Sequence, residues 1–375
     1  MWQRKTQSGI ALDAGTASVA LCQLARSGQG VRIDRWSRIE DPLRERLDAT
    51  HDGPPSPART ARIVSQVGFH GTAASVALKP PDVTFLDAAV PAAMSGAPRE
   101  QWLTMLRFEA ARQLQCEPAS LEVDFWPLPP GNRSGNNVRI AAVRQDVLAR
   151  LRAFVEALGL ELRTVDVLPC ALVRAAWQAG PLARSDARPA PDELWGVIDI
   201  GYSSSLLAVA LGCRCVYSRP LTIGGDAFTL SLVDALDVDY RSAEMLKRRY
   251  DPNAAAEARS SDPAADVTEA PLPELSPVIQ SVLRARVRAL AGEIERAFAY
   301  PMENYPEANP SLLIVCGGGA RLPGLTAQLE ELLGVDVVPL TLSEEWAPPN
   351  IDGDHPGLEG TTLAACLGLA LGELE

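Results

Sequence analysis

Two short stretches of this sequence carry the residue types that handle a metal-bound phosphate. Ile10-Ala11-Leu12-Asp13-Ala14-Gly15-Thr16-Ala17-Ser18 sets an apolar run before an aspartate, a glycine and small hydroxyl residues. Val197-Ile198-Asp199-Ile200-Gly201-Tyr202-Ser203-Ser204-Ser205 repeats that order about half a chain later. An aspartate ending a buried strand points its carboxylate into a cleft. Glycine permits a turn that a Cβ would obstruct. The hydroxyls and freed backbone N–H groups then face an anion. Two such turns facing each other would clamp a polyphosphate. Asp13 and Asp199 could hold Mg²⁺ through its waters, which suits a hard ion that keeps part of its hydration shell.

Three further groups extend this chemistry. Cys316-Gly317-Gly318-Gly319-Ala320-Arg321-Leu322-Pro323-Gly324 ends a strand in three glycines, so backbone can lie flat against a nucleoside. Gly224-Gly225-Asp226 places a second glycine pair after a strand. Glu244 and Lys247 are i and i+3 neighbours on a helix, so both can reach one sugar. Singly, each has an ordinary reading as a strand-end turn or a solvated ion pair. Their order along the chain is what points to one nucleotide cleft.

The elements that must position these residues are legible from periodicity. Gly9–Asp13, Ser18–Leu24 and Val31–Ser37 read as a three-strand meander, and a second meander starts at Leu194. Asp52–Pro57 reads as a turn-rich loop before a short helix, Thr60–Val67. Ala73–Leu78 and Thr84–Val90 read as strands around Lys79-Pro80-Pro81. Pro98–Gln115 reads as a helix through Trp102, Leu103, Leu106, Ala110 and Leu114. Leu121–Leu128 and Asn137–Val143 flank a hairpin loop, Pro129–Asn136. Asp146–Leu158 reads as an amphipathic helix stopped by Gly159, and Leu160–Val167 as a strand. Pro181–Asp192 reads as a linker, and Asp251–Pro273 has the composition of a flexible stretch. A long helix over Pro277–Pro301, a strand over Leu312–Cys316, a helix over Gly324–Leu333, a strand over Val335–Leu340 and a closing helix over Thr361–Leu371 complete the pattern.

Composition narrows the class. The chain has 375 residues, 47% of them hydrophobic and 22% charged, which argues against wholesale disorder. Its net charge of −12 repels phosphate backbones and argues against nucleic acid as the main partner. The longest apolar runs, Leu206–Gly212 and Leu363–Leu371, fall short of the roughly 18–20 residues a membrane span needs. Gln7 and Asp13 interrupt what would be a signal core, so no secretory signal is read. Seven scattered cysteines and three histidines give no disulfide framework and no structural zinc site.

The order of motifs resembles the actin-like ATPase superfamily and, more narrowly, the PilM family of type IV pilus assembly proteins. The stretches that carry it are Gly9–Leu24, the α+β insert from about Ser75 to Val173, Leu194–Ser205, Pro220–Phe228, Ala243–Arg248, Leu312–Leu325 and Thr362–Leu371. The fold class expected is α/β: an actin-like ATPase fold of two duplicated lobes around a nucleotide cleft, with a small α+β insert in the first lobe. The ranges are 1–74 for the first part of lobe 1, 75–168 for the insert, 169–193 for a connecting helix and linker, and 194–375 for lobe 2, including a flexible stretch at 251–275. By the resemblance, Asp13, Gly15, Thr16 and Ser18 form the first phosphate loop, and Asp199, Gly201, Ser203 and Ser204 the second. Gly317, Gly318 and Gly319 face the adenosine, and Glu244 and Lys247 lie near ribose and base. Gly224, Gly225 and Arg321 complete the nucleotide-binding set.

The cofactors implied are ATP and Mg²⁺. The partner implied is the cytoplasmic tail of an inner-membrane pilus protein, PilN-like, docked at the insert; the pilus motor ATPase and self-association are further contacts. The protein is then expected in the cytoplasm, at the inner membrane through its partner. Two positions depart from the family pattern: Ala20 stands where a lysine is common, and bulky Tyr202 sits in the second loop. No residue stands out as a general base for water, so hydrolysis is expected to be slow or absent. Competing readings are a sugar or acid kinase on the same fold, a division-type membrane tether, and a cytoplasmic L-type component of a secretion system. The kinase reading lacks a clear substrate-side aspartate. The tether reading lacks a basic closing helix.

Overall fold

A computed structural model describes residues 7–28, 30–40, 57–91, 96–132, 137–250, 276–342, 346 and 360–374. Most of the Asp52–Pro57 and part of the Pro129–Asn136 loop readings, and all of 251–275, lie outside the described residues.

The first lobe is built on a five-stranded sheet. Its strands are β1 (Ile10–Ala14), β2 (Ser18–Ser27), β3 (Gly30–Glu40), β4 (Ala73–Leu78) and β8 (Glu161–Val167), in the order β3-β2-β1-β4-β8. The second lobe repeats this with β9 (Leu194–Ile200), β10 (Ser205–Leu211), β11 (Arg214–Leu221), β12 (Pro310–Cys316) and β13 (Asp336–Pro339), in the order β11-β10-β9-β12-β13. In each lobe the first three strands pair antiparallel and the last two add in parallel. The duplication therefore extends from the local motif to the whole sheet. Central strand β9 is buried along nearly its full length, as a strand covered on both faces must be.

Helices cover each sheet's outer face. In lobe 1 these are α1 (Pro57–Val67) and α3 (Gln145–Ala157), where Val64 and Val155 pack with Ile10, Leu12 and Leu21. In lobe 2 they are α5 (Gly225–Leu236), α6 (Tyr240–Arg249), α7 (Ser276–Asn304) and α8 (Leu325–Leu333). Two helices lie between the lobes: α4 (Leu168–Gln178) and α9 (Gly360–Gly372). Their small side chains join one buried cluster with Ala11, Ala20 and Cys22 of lobe 1 and Trp195, Val197 and Ala208 of lobe 2.

Between β4 and β8 the chain leaves the first lobe. Strands β5 (Val83–Ala88), β6 (Leu121–Pro127) and β7 (Val138–Arg144) form a three-stranded antiparallel sheet in the order β5-β7-β6. Helix α2 (Arg99–Leu114) packs Leu106, Ala110 and Ala111 on it. The range 75–168 thus holds more than this layer, because β4, α3 and β8 belong to the first lobe's sheet and its cover. The insert is also fastened to the second lobe. Trp126 Nε1 donates to the Cys215 carbonyl at 2.8 Å, and Arg139 donates to the Val216 carbonyl. The Asn132 N–H donates to the Asn304 carbonyl at 2.7 Å.

All seven cysteines are free thiols. Cys213 is exposed in the tight β10–β11 turn, while Cys215 is buried on β11. Arg174 bonds Asp166 at 2.9 Å and the Gly368 carbonyl at 2.7 Å, a tie between α4, α9 and the first lobe.

Where α4 and α9 cross, a Cβ on Gly368 would drive into the Ala171 backbone. Gly368→Ala should therefore cost about 1–3 kcal/mol by overpacking. Gly28→Ala, where nothing lies within 4 Å, should leave stability unchanged. Thermal unfolding of the two variants against the parent checks this.

Candidate functional site

The two turns read from sequence have nearly the same geometry. The Gly15 N–H donates to the Ser18 carbonyl at 2.9 Å, and the Gly201 N–H to the Ser204 carbonyl at 3.1 Å. Each closes the hairpin between the first two strands of its lobe. The turns face each other, with Thr16 Oγ1 lying 3.3 Å from Ser203 Oγ. Beneath them is a cavity of about 330 Å³, within the range of small-ligand pockets.

All the sequence-predicted site residues line this cavity except Gly224. Gly224 instead packs under the second turn, where a Cβ would strike the Tyr202 carbonyl and the Ser204 nitrogen. That close approach lets the Gly225 N–H donate to the Gly201 carbonyl at 2.8 Å, and the Asp226 N–H to the Tyr202 carbonyl at 2.9 Å.

Asp13 and Asp199 are half-buried as residues, but their carboxyls sit deep in the cleft wall. Burial pushes the Asp13 carboxyl up, against the pull of the Lys79 and Arg38 cations. Burial and the neighbouring Asp13 charge push Asp199 up to about 6, with Lys79 opposing. Two carboxyls held close while short of positive charge are what a hydrated divalent cation would neutralise. The donors are hard oxygens, and two carboxylates suit an ion that keeps several waters. The site therefore fits Mg²⁺, with Asp13 and Asp199 as the residues that would hold it.

The glycine loop packs closely on the end of β9. Gly317 has φ 85°, a left-handed conformation that favours glycine, and a Cβ there would strike Asp199 Oδ1. A Cβ on Gly319 would strike Ile200. The Gly317 N–H donates at 2.7 Å to the carbonyl of Thr361, at the start of α9.

Glu244 and Lys247 line the cavity but are largely satisfied by the protein. Lys247 Nζ lies 2.6 Å from Glu244 Oε2 and donates to Thr229 Oγ1 at 2.7 Å and the Gly225 carbonyl at 3.0 Å. Arg248 Nε donates to Glu244 Oε1 at 2.8 Å. Burial pushes Glu244 up, but Lys247, Thr229 and Arg248 outweigh it and hold the carboxyl below its ordinary value. Tyr202 points its hydroxyl at Tyr240, 2.8 Å away, and Tyr240 donates to Asp226. The Tyr202 ring is thereby anchored toward α5 and α6.

Sequence reasoning missed Lys79, Arg38, Glu40 and Arg248, which also line the cavity. Lys79 had a readable signal. It follows β4, the parallel neighbour of β1, and the carboxyl ends of parallel strands open on one crevice. Arg38 had none, because only strand register brings it to the cleft.

Two sheets of one strand order, meeting through facing Asp-bearing turns, define the fold as that of the actin-like ATPases. The chain is similar over 100% of its length, and 100% of the other, to a solved PilM-PilN type IV pilus biogenesis complex, with TM-score 0.72 and 23% identity. It is also similar to the ethanolamine utilization protein EutJ from Carboxydothermus hydrogenoformans, with TM-score 0.52 and 16% identity, over 98% of this chain and 90% of that one. Among curated proteins it matches the cell division protein FtsA of Streptococcus pneumoniae, 26% identical over 200 residues. That match covers 51% of this chain and 40% of FtsA. The type IV pilus assembly protein PilM family matches residues 11–258, and the chain belongs to that family. No helix among the described residues is long and apolar enough to cross a membrane.

The raised Asp199 has a consequence for stability. Its carboxyl titrates from an ordinary 3.8 in the unfolded chain to about 6 in the folded one. The folded state therefore binds more protons across that window, and stability falls as pH rises through it. Asp199→Asn should raise the melting temperature of the nucleotide-free protein at neutral pH. The gain should vanish at pH values below the ordinary carboxylate range. Calorimetric melting across pH reads both effects.

Proposed function

We propose that this protein is an ATP-binding scaffold of the type IV pilus assembly machinery. The observation that carries the reading is the pair of Asp13 and Asp199 carboxyls, brought together from two equivalent turns and left short of positive charge. Asp13 and Asp199 would hold Mg²⁺ through its waters. The backbone and hydroxyls of Gly15, Thr16 and Ser18, and of Gly201, Ser203 and Ser204, would face the phosphates. Gly317, Gly318 and Gly319, with Arg321, would face the nucleoside. Glu244 and Lys247 would shape the ribose side mainly as a fixed pair.

Hydrolysis is proposed to be slow or absent. Asp13 and Asp199 would be occupied with the metal, and Glu40 and Glu244 are tied to Arg38 and to Lys247 and Arg248. Among the described residues, no cavity-lining carboxylate then remains placed to activate water, and the same lack disfavours a kinase. The scaffold is proposed to grip the cytoplasmic tail of a PilN-like inner-membrane protein at the insert, which would hold it at the membrane through that partner. The insert offers an exposed aromatic, Phe108, 62% accessible on α2 beside a shallow hollow formed with Ala111 and Cys116. The motor ATPase and a second copy are further candidate contacts.

Titration calorimetry with ATP, with and without Mg²⁺, tests the cleft. The parent should bind one nucleotide in a Mg²⁺-dependent way. Asp13→Ala and Asp199→Ala should each lose that binding while still melting cooperatively; equal binding by parent and variants would sink the assignment. For the partner, Phe108→Asp should weaken binding of a PilN-tail peptide about tenfold or more, as truncating a buried aromatic anchor does. Fluorescence anisotropy of a labelled peptide reads this, and an unchanged affinity moves the groove off α2.

A further inference from the structure

Strand register places Arg38 in the cleft. Asp13 on β1 is opposite Ala20 on β2, and Ala20 is opposite Arg38 on β3. Side chains opposite one another across neighbouring strands point to the same face of a sheet. Asp13, Ala20 and Arg38 therefore form one row on the face that looks toward the second lobe. The middle position is small and uncharged. Ala20 is 3% exposed and belongs to the buried cluster under α9, with Ala364 and Ala365. The only cationic side chain in that row comes from its far end.

Arg38 spans the cleft. Its side chain is 14% exposed, and its Nη2 lies 3.6 Å from where a Cβ of Gly318 would stand. It thus reaches from the third strand of one lobe to the glycine loop of the other. Its Nη1 pairs with Glu40 at 2.6 Å, and Glu40 is half exposed at the rim. Toward the interior the guanidinium feels Arg321 and Arg248 as like charges and Asp13 as an opposite one. Three guanidiniums gathered on one cavity repel one another unless an anion lies between them. Arg248 is committed to Glu244 and Lys247 to the same carboxylate, so both are partly neutralised. Arg38 is the deeply placed cation whose acidic partner faces outward.

We infer that Arg38 contacts the polyphosphate of the bound nucleotide. It would supply, from β3, the positive charge that β2 lacks at Ala20, and would touch first-lobe phosphate and second-lobe loop together. The inference rests on the nucleotide reading above. It adds a phosphate-binding residue outside every motif that the sequence displays.

The test is titration of the full chain with Mg–ATP at several salt concentrations. Arg38→Met keeps much of the aliphatic stem and removes the charge, and Arg38→Lys keeps the charge. A lost charge-assisted contact should weaken ATP binding by about tenfold to a hundredfold in the methionine variant. The salt dependence of binding should become shallower, because one fewer charge is screened. The lysine variant should recover most of the affinity, and the melting temperature without nucleotide should stay close to the parent's. Unchanged affinity in Arg38→Met overturns the inference while the cleft reading stands. So does a weakening with no change in salt dependence, which would mark Arg38 as merely structural. If the parent itself shows no saturable Mg–ATP binding, the cleft reading fails and this inference fails with it.

Discussion

The lobes meet on two helices that touch almost backbone to backbone. α9 is made largely of alanine, glycine and leucine, and nearly every residue from Gly360 to Leu371 outside its first turn is buried. Its Gly368 lies against Ala171 of α4 so closely that a methyl group has no place between them. That crossing lets the inner faces of both sheets pack on one shared floor rather than on two separate cores. Interiors packed at this density transmit displacement instead of absorbing it. The cleft inherits its geometry from the floor. Gly317 is bonded to Thr361 in the first turn of α9, while Ala20, next in the row to Asp13, lies beneath the same helix. A change in how α4 and α9 cross would move the glycine loop relative to both aspartates.

Against this tight floor, the cleft itself is electrostatically unfavourable. Asp13 and Asp199 are both pushed toward protonation, and Arg38 faces two other guanidiniums. Such groups are costly in the empty protein and become useful only beside charges of opposite sign. Under the proposed reading, a polyanion with its divalent cation would meet both needs at once, the metal neutralising the carboxylates and the phosphates adding negative charge beside Arg38, which already pairs with Glu40. By mass action, anything that binds only the folded state stabilises it. With nucleotide bound as proposed, the protein would be firmest when occupied.

Much of this was legible in the sequence, and the boundary is physical. The duplicated Asp-x-Gly turns could be read because strand, turn and next strand are contiguous, so local residue types suffice. The strand order could not be derived that way. β8 and β13 join their sheets by parallel pairing, which needs long crossovers and leaves no local trace. For the same reason the range 75–168 mixed insert with lobe: β4 and β8 look like any strands until their partners are known. Tyr202 was legible as bulky, but its direction depends on Tyr240 and Asp226, which lie on separate helices. Glu244 and Lys247 were legible as neighbours. That they would be absorbed by Thr229 and the Gly225 carbonyl was not, because that depends on how α5 and α6 pack.

The insert is attached to both lobes. One set of attachments is to the first lobe: β4 runs through Lys79, which lines the cleft, into β5; β7 runs directly into α3; and Leu78, Val83 and Ala141 share a buried cluster with Leu148 and Leu151 of α3. The other is non-covalent and belongs to the second lobe, through the carbonyls of Cys215 and Val216 on β11. Beyond its last residue β11 leads directly to Gly224 and Gly225, which hold the second turn in place. The insert is thus fastened to both sides of the hinge, close in sequence to a cleft residue on each. Rotation of one lobe against the other must strain these contacts or carry the insert with it. The Arg139 side chain raises the cost of strain, because it is almost wholly buried, ion-paired with Asp87 and hydrogen-bonded to the Val216 carbonyl. Breaking the contact with Val216 would take one partner from a buried charge and leave Asp87, on the insert's own sheet, as its counter-charge. Displacement of either lobe is therefore carried into the insert, which packs on α3 of the first lobe and is hydrogen-bonded to β11 of the second.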